Sequence, residues 1–135
     1  MDKIKAVIEK ASDGGYGIYA EREDVPVCGN GVTEEEARED FESMMHEQAE
    51  YMKEKLGKYP EWYSEDLSVE YRYDLSGFFL AFPFINVTSF AQSLGINPSL
   101  MRKYKNGIAK AGEKQKELIQ QRFEDIVSRL SIVRF

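Results

Sequence analysis

Ser99, Arg102, Lys103 and Asn106 recur at i, i+3, i+4 and i+7, a spacing that places all four on one face of a helix. A guanidinium, an ammonium, a hydroxyl and a carboxamide side by side suit a nucleic-acid major groove. The cations meet phosphates and guanine edges, and the short polar groups fix position. The other face, Ile96, Leu100, Met101, Tyr104 and Ile108, is apolar and is predicted to turn inward. Hydrolytic chemistry has less to work with. A two-metal nuclease needs several carboxylates converging from different strands. Here the inner-face positions of the predicted strands hold Ile4, Ala6, Ile8 and Ile18, while Glu9 and Glu70 are strand acids on the polar side. His46, the single histidine, has Ser43 three residues before it where a helical metal motif has Glu, and reads as an exposed helix residue. Cys28, also single, lacks a neighbouring base and reads as a small buried hydrophobe. No catalytic residue, metal or cofactor is expected.

The elements that must position these groups follow from periodicity. Lys3 to Glu21 alternates around "SDGG" and predicts a β-hairpin, with Val7 the exception to its alternation. A shorter third strand is expected near Val25 to Val32, broken by Gly29 and Gly31. Thr33 and Glu36 have capping-box spacing, so a helix starts here and runs to Gly57, with Ala37, Phe41, Met44, Met45, Met52 and Leu56 as its apolar stripe. "LSVEYRYD" alternates once more. Beyond Asp74 the strand signals stop: a short helix Leu75 to Phe82 ends at Pro83, Asn86 caps another, Pro98 opens a third, and a fourth runs from about Glu113 to Leu130. The expectation is an α+β chain, with a small antiparallel sheet and one long helix (β-β-β-α-β) over residues 1–74 and an all-helical domain over 75–135.

At 135 residues the chain has room for one domain or two small ones, and 42% hydrophobic content supports a packed core. No apolar run approaches the roughly 18 to 20 residues needed to cross a bilayer, and "MDKIKAVIEK" lacks the features of a secretory signal, so a cytoplasmic protein with no membrane partner is expected. The net charge of −6 conceals a division. Met1 to Ile85 carries nine Lys/Arg against twenty Asp/Glu, whereas Asn86 to Phe135 carries nine against four. One half attracts a cationic partner and the other a polyanion. The wide stripe Leu118, Ile119, Phe123, Ile126, Val127 and Leu130 on the last helix, extended by "SIVRF", hints at self-association.

Residues 86–107 resemble the helix-turn-helix of phage-repressor-like (Xre/Cro) proteins: a small residue, Ala91; a glycine four positions on, Gly95; then a recognition helix closing in Asn106-Gly107. The resemblance implies that Pro98, Ser99 and Lys103 face the bases, with Asn97 as the cap and Arg102 beside them. Pro98 offers no polar group, so it reaches at most a thymine methyl.

The stretch "DGGYGIYAEREDVPVCGNGVTEEEARED" resembles the HicB antitoxin family, with Asp-Gly-Gly-Tyr between the first two strands and Gly-x-Thr-x-Glu-Glu-Ala opening the helix. The likeness spans about Lys3 to Met52, and the order of a sheet domain before a repressor-like domain extends it over the chain. It implies a truncated ribonuclease-H-like fold without activity, binding a small basic HicA-like ribonuclease toxin that cleaves mRNA. It also implies repression of the chain's own operon by a homodimer or higher homo-oligomer on double-stranded operator DNA. Toxin-facing candidates are Glu34, Glu35, Glu39, Asp40 and Glu42 near the helix start, with Glu21, Glu23 and Asp24 in the preceding loop. The alternatives are a transcriptional regulator whose sheet domain senses a small ligand, and an active nuclease, which the missing carboxylate set disfavours.

Overall fold

The computed structural model describes residues 3–135 and divides into two compact units, Met1–Ala81 and Phe82–Phe135. The first holds β1 (Lys3–Lys10), β2 (Tyr16–Ala20), β3 (Cys28–Gly31), α1 (Glu34–Leu56), β4 (Ser68–Tyr73) and α2 (Leu75–Ala81). The second holds α3 (Val87–Leu94), α4 (Pro98–Lys105) and α5 (Glu113–Ser131). The contacts put α2 with the sheet, past the 74/75 boundary drawn from the sequence. The described residues are therefore α+β, with a four-stranded mixed sheet and five helices.

The sheet is not wholly antiparallel as expected. Its order is β3-β2-β1-β4; β1 pairs antiparallel with β2, β2 antiparallel with β3, and β1 parallel with β4, in the register Ile4↔Val69 and Ile8↔Tyr73. Alternation sets which face each residue takes but not strand direction. Direction comes from α1, which carries the chain back to the starting end so that β4 runs with β1. The same register separates the two strand acids: Glu9 lies opposite Gly17 and Glu70 opposite Lys5.

One face of the sheet packs on α1. Ile4, Ala6, Ile8 and Ile18 join Val25, Val27, Ala37, Phe41, Met45, Ala49 and Trp62 in a single cluster. Two expected members of the helix stripe, Met44 and Leu56, are exposed, and Ala49 is buried instead. The buried residues of the 23-residue helix, Ala37, Phe41, Met45 and Ala49, are spaced by four, so the face against the sheet is a narrower row than the expected stripe. Gly29 and Gly31 do not merely interrupt β3. They face α1 so closely that a Cβ on Gly29 would sit 2.5 Å from Phe41 N, and one on Gly31 2.4 Å from Ala37 N. Two glycines two apart let the helix backbone rest on the strand. Period two from Val25 to Gly29 then turns Cys28 outward, so this cysteine is exposed and not the buried hydrophobe expected.

Helix α1 also closes the edge of β3. Thr33 Oγ1 accepts from Glu36 N (3.1 Å), as its spacing predicts, but the Glu36 carboxylate reaches Val32 N (3.1 Å) and not its own cap. One turn on, Asp40 accepts from Asn30 N at 2.8 Å. Gly57, at φ +80°, ends the helix, its N–H donating to Lys53 O (2.8 Å).

The exception at Val7 has its reason in α2, which packs on β1 so that Val7 is buried although it points away from the α1 cluster. Asp74 Oδ1 caps this helix, accepting from Gly77 N (2.9 Å) and Ser76 Oγ (2.6 Å), and Ser76 Oγ in turn accepts from Lys10 N (3.0 Å). A Cβ on Gly77 would lie 2.2 Å from Ile8 O, so the helix backbone is seated on the strand.

Candidate functional site

Helices α3 and α4 are built by their caps. Asn86 Oδ1 accepts from Ser89 N (2.8 Å) to open α3, and Asn97 Oδ1 accepts from Ser99 N (2.8 Å) and Leu100 N (3.2 Å) to open α4, with Pro98 in its first turn. Between them Gly95 adopts φ +67°, and Ile96 N donates to Ala91 O (2.9 Å). This left-handed turn redirects the chain, and Ile96 fills the angle it leaves. Phe90, Ala91, Leu94, Ile96, Met101, Tyr104 and Ile119 are buried around it. The expected inner residue Ile108 is 73% exposed, because α4 ends at Lys105 and Gly107, at φ +73°, breaks the helical spacing before it.

The outer face is where periodicity places it. Ser99, Arg102, Lys103 and Asn106 are exposed, with Asn97 at one end and Lys105 alongside. They are not equivalent. Arg102 donates from Nη1 to Thr88 Oγ1 (3.1 Å) on α3 and from Nη2 to Ser99 Oγ (3.2 Å), so it ties the two helices together. Asn97 spends its carbonyl oxygen on the cap, leaving its amide group outward. Asn106 ends the helix, its N–H donating to Arg102 O (3.0 Å) while its side chain stays exposed. Lys103 and Lys105 are exposed, and their ammonium groups have no hydrogen-bond or ion-pair partner among the described residues. Chemically, this is a helix face with two unpaired ammonium groups beside a guanidinium held by two hydrogen bonds.

Helix α5 supports this pair through α3: Ile119 is buried, the Phe90 and Phe123 rings meet edge to face at 6.2 Å, and Arg122 Nη1 donates to Leu94 O. Arg122 and Thr88 were not singled out from the sequence, since neither falls in an apolar or basic pattern. Beyond Phe123 the stripe lacks a cover. Val127, Leu130, Ile132 and Val133 are exposed, Leu130 by 65%, and a cavity of about 410 Å³ is lined by Ser93, Ile126, Arg129, Leu130 and Val133.

The acidic candidates of the first unit divide into engaged and free. Tyr73 Oη donates to Glu34 (2.5 Å), Arg38 pairs with Glu34 (2.6 Å), Tyr71 Oη donates to Glu42 (2.8 Å), and the Arg38 guanidinium lies 4.3 Å over the Tyr71 ring. This ladder ties α1 to β4, so Glu34 and Glu42 already serve the fold. Asp40 holds β3, and Asp24 pairs with Arg22 (2.6 Å), whose hydrogen bond keeps its carboxyl below the ordinary value. Glu21, Glu23, Glu35 and Glu39 remain exposed, their carboxylates without a partner among the described residues. His46 is exposed on α1, its Nδ1 2.7 Å from Tyr63 Oη. No group of three or more His, Cys, Asp or Glu among the described residues is arranged to hold a metal ion, and no helix there is long and apolar enough to cross a membrane.

The ladder carries a pH dependence. Burial, then the Glu42 carboxylate, push the Tyr71 phenol above its ordinary value of 10.0, and burial with Glu34 does the same to Tyr73. The folded chain thus holds these protons more tightly than the unfolded chain. Their contribution is complete below about pH 10 and is lost as pH rises beyond it. Melting temperatures compared between pH 8 and pH 10.5 should fall less in Tyr71→Phe/Tyr73→Phe than in the parent; an equal fall would place the alkaline sensitivity elsewhere.

No family model, curated protein or solved structure matches the chain.

Proposed function

We propose that this chain is an antitoxin of the HicB type. Its first unit binds and inhibits a small basic HicA-like ribonuclease, and its second binds double-stranded operator DNA as a dimer and represses its own operon. The observation that carries this reading is the capped α3–α4 pair, which holds Lys103 and Lys105 outward on a unit with nine Lys/Arg and four Asp/Glu. Residues 82–85 carry no charge, so the boundary at Ala81 leaves the opposition of sign between the two units intact. The β-β-β-α-β element order and the four free glutamates support the toxin-binding half. An acidic face speeds encounter with an RNA-binding enzyme and competes with RNA for the same cations. The role assigned to the chain is binding, not catalysis, with no cofactor.

The deciding experiment expresses the chain with the short basic protein from the adjacent reading frame. Co-purification, inhibition of that protein's ribonuclease activity, and a footprint on the DNA upstream of the operon are expected. A footprint without co-purification, joined by stabilisation with a small molecule, would favour the ligand-sensing regulator. The uncovered end of α5 is assigned to the second copy, since repressor-like domains occupy half-sites about one helical turn apart. Leu130→Glu should convert dimer to monomer by light scattering at micromolar concentration and weaken operator binding at least about tenfold. A dimer that survives this change would put the contact elsewhere.

A further inference from the structure

The turn between α3 and α4 sets the angle at which the outer face meets a groove, and its geometry is held from outside by one side chain. Leu94 O belongs to the last turn of α3, where carbonyls lack a partner within the helix. Gly95 takes the chain away at φ +67°, and its own N–H is used on Gln92 O (3.1 Å). The partner for Leu94 O is Arg122 Nη1, from α5, which brings a cation to the negative end of the helix dipole. Gly95 leaves the space for it: a Cβ there would lie 2.8 Å from Arg122 Nη1. On the same side of α5, Phe123 meets Phe90 and Ile119 is buried, so apolar packing fixes the helix and the guanidinium pins the turn.

Building on the DNA-binding reading above, we propose that Arg122 is a positioning residue for operator recognition: it touches no DNA, and it sets the orientation of α4 through the Leu94 carbonyl. Arg102 does the matching work at the other end of α3, through Thr88. With both ends held, Lys103 is presented from a fixed helix. A fixed helix matters more for sequence discrimination than for phosphate attraction, because bidentate base contacts need alignment while ammonium–phosphate contacts tolerate displacement.

The test measures the full-length dimer on its operator duplex and on an unrelated duplex of equal length, across a salt series, with melting temperatures recorded for each variant. Arg122→Ala should lower operator affinity about ten- to thirtyfold and leave affinity for the unrelated duplex within about twofold. The slope of log K against log salt should stay unchanged, because no phosphate contact is removed. Arg122→Lys, which keeps one donor for Leu94 O, should recover part of the loss. A slope reduced by about one, with both duplexes weakened alike, would make Arg122 a direct phosphate contact and overturn the proposal. Equal affinities in Arg122→Ala and parent would overturn it as well. Failure of the parent itself to prefer its operator is a separate result and removes the DNA-binding reading on which the proposal rests. If Arg122→Ala melts below the assay temperature, the lysine variant supplies the comparison.

Discussion

Gly29→Ala is expected to destabilise the N-terminal unit by about 3 kcal/mol, at the upper end of what overpacking usually costs. The added methyl would meet Phe41 N at 2.5 Å, Phe41 Cα at 2.6 Å and Phe41 Cβ at 2.6 Å. Two of these are helix backbone atoms that no rotamer change can move, so α1 must lift from the sheet. Lifting it loosens Phe41 and Ala37, both fully buried, and Met45 behind them. It also lengthens the Asp40 bond to Asn30 N. Gly31→Ala should act in the same direction, since its methyl would meet Ala37 N at 2.4 Å. Urea unfolding followed by Trp62 fluorescence measures the loss, because that indole is buried in the same cluster. A change under about 1 kcal/mol would mean that α1 slides along the strand at little cost, and close seating would no longer explain the glycine pair.

The second large effect lies in the other unit. Lys103→Glu should weaken operator binding by about 100-fold, combining loss of a contact with a negative charge placed against phosphates. The Lys103 side chain is exposed and has no partner among the described residues, so the melting temperature should stay within about 2 °C of the parent. Neutralisation of the partner ribonuclease should be unaffected. Arg102→Ala should behave differently. It removes the bonds to Thr88 and Ser99 as well as a charge, so it should lower both melting temperature and affinity. If Lys103→Glu also abolished neutralisation in a folded protein, the division of labour between the units would be wrong.

Much of this architecture is legible in the residues. The caps at Thr33, Asn86 and Asn97, the stops at Gly57 and Gly95, and the outward set Ser99, Arg102, Lys103 and Asn106 all follow from local chemistry acting over four or five positions. What escaped is non-local. Nothing within "LSVEYRYD" tells the strand to run parallel to the first; that is decided by the return path of α1. Cys28 was misplaced because single-residue preference outweighed the alternation begun at Val25. The acids near the start of α1 look alike in sequence, yet Glu34 and Asp40 are held by Tyr73, Arg38 and Asn30 while Glu35 and Glu39 are free. Arg38 is one helical turn from Glu34, but Asn30 and Tyr73 lie on strands, ten residues from Asp40 and thirty-nine from Glu34, beyond the reach of any local pattern.

Strand β3 is the outermost of its sheet, a place where unsatisfied amides normally invite a neighbouring molecule to stack and, eventually, a fibril to grow. Here Asn30 and Val32 have already given their amide protons to carboxylates hanging from α1. The helix therefore acts as a cap on that border as well as a lid over the core. Intermolecular strand exchange is left to the opposite border, where Glu70 and Arg72 place charges of both signs in the way.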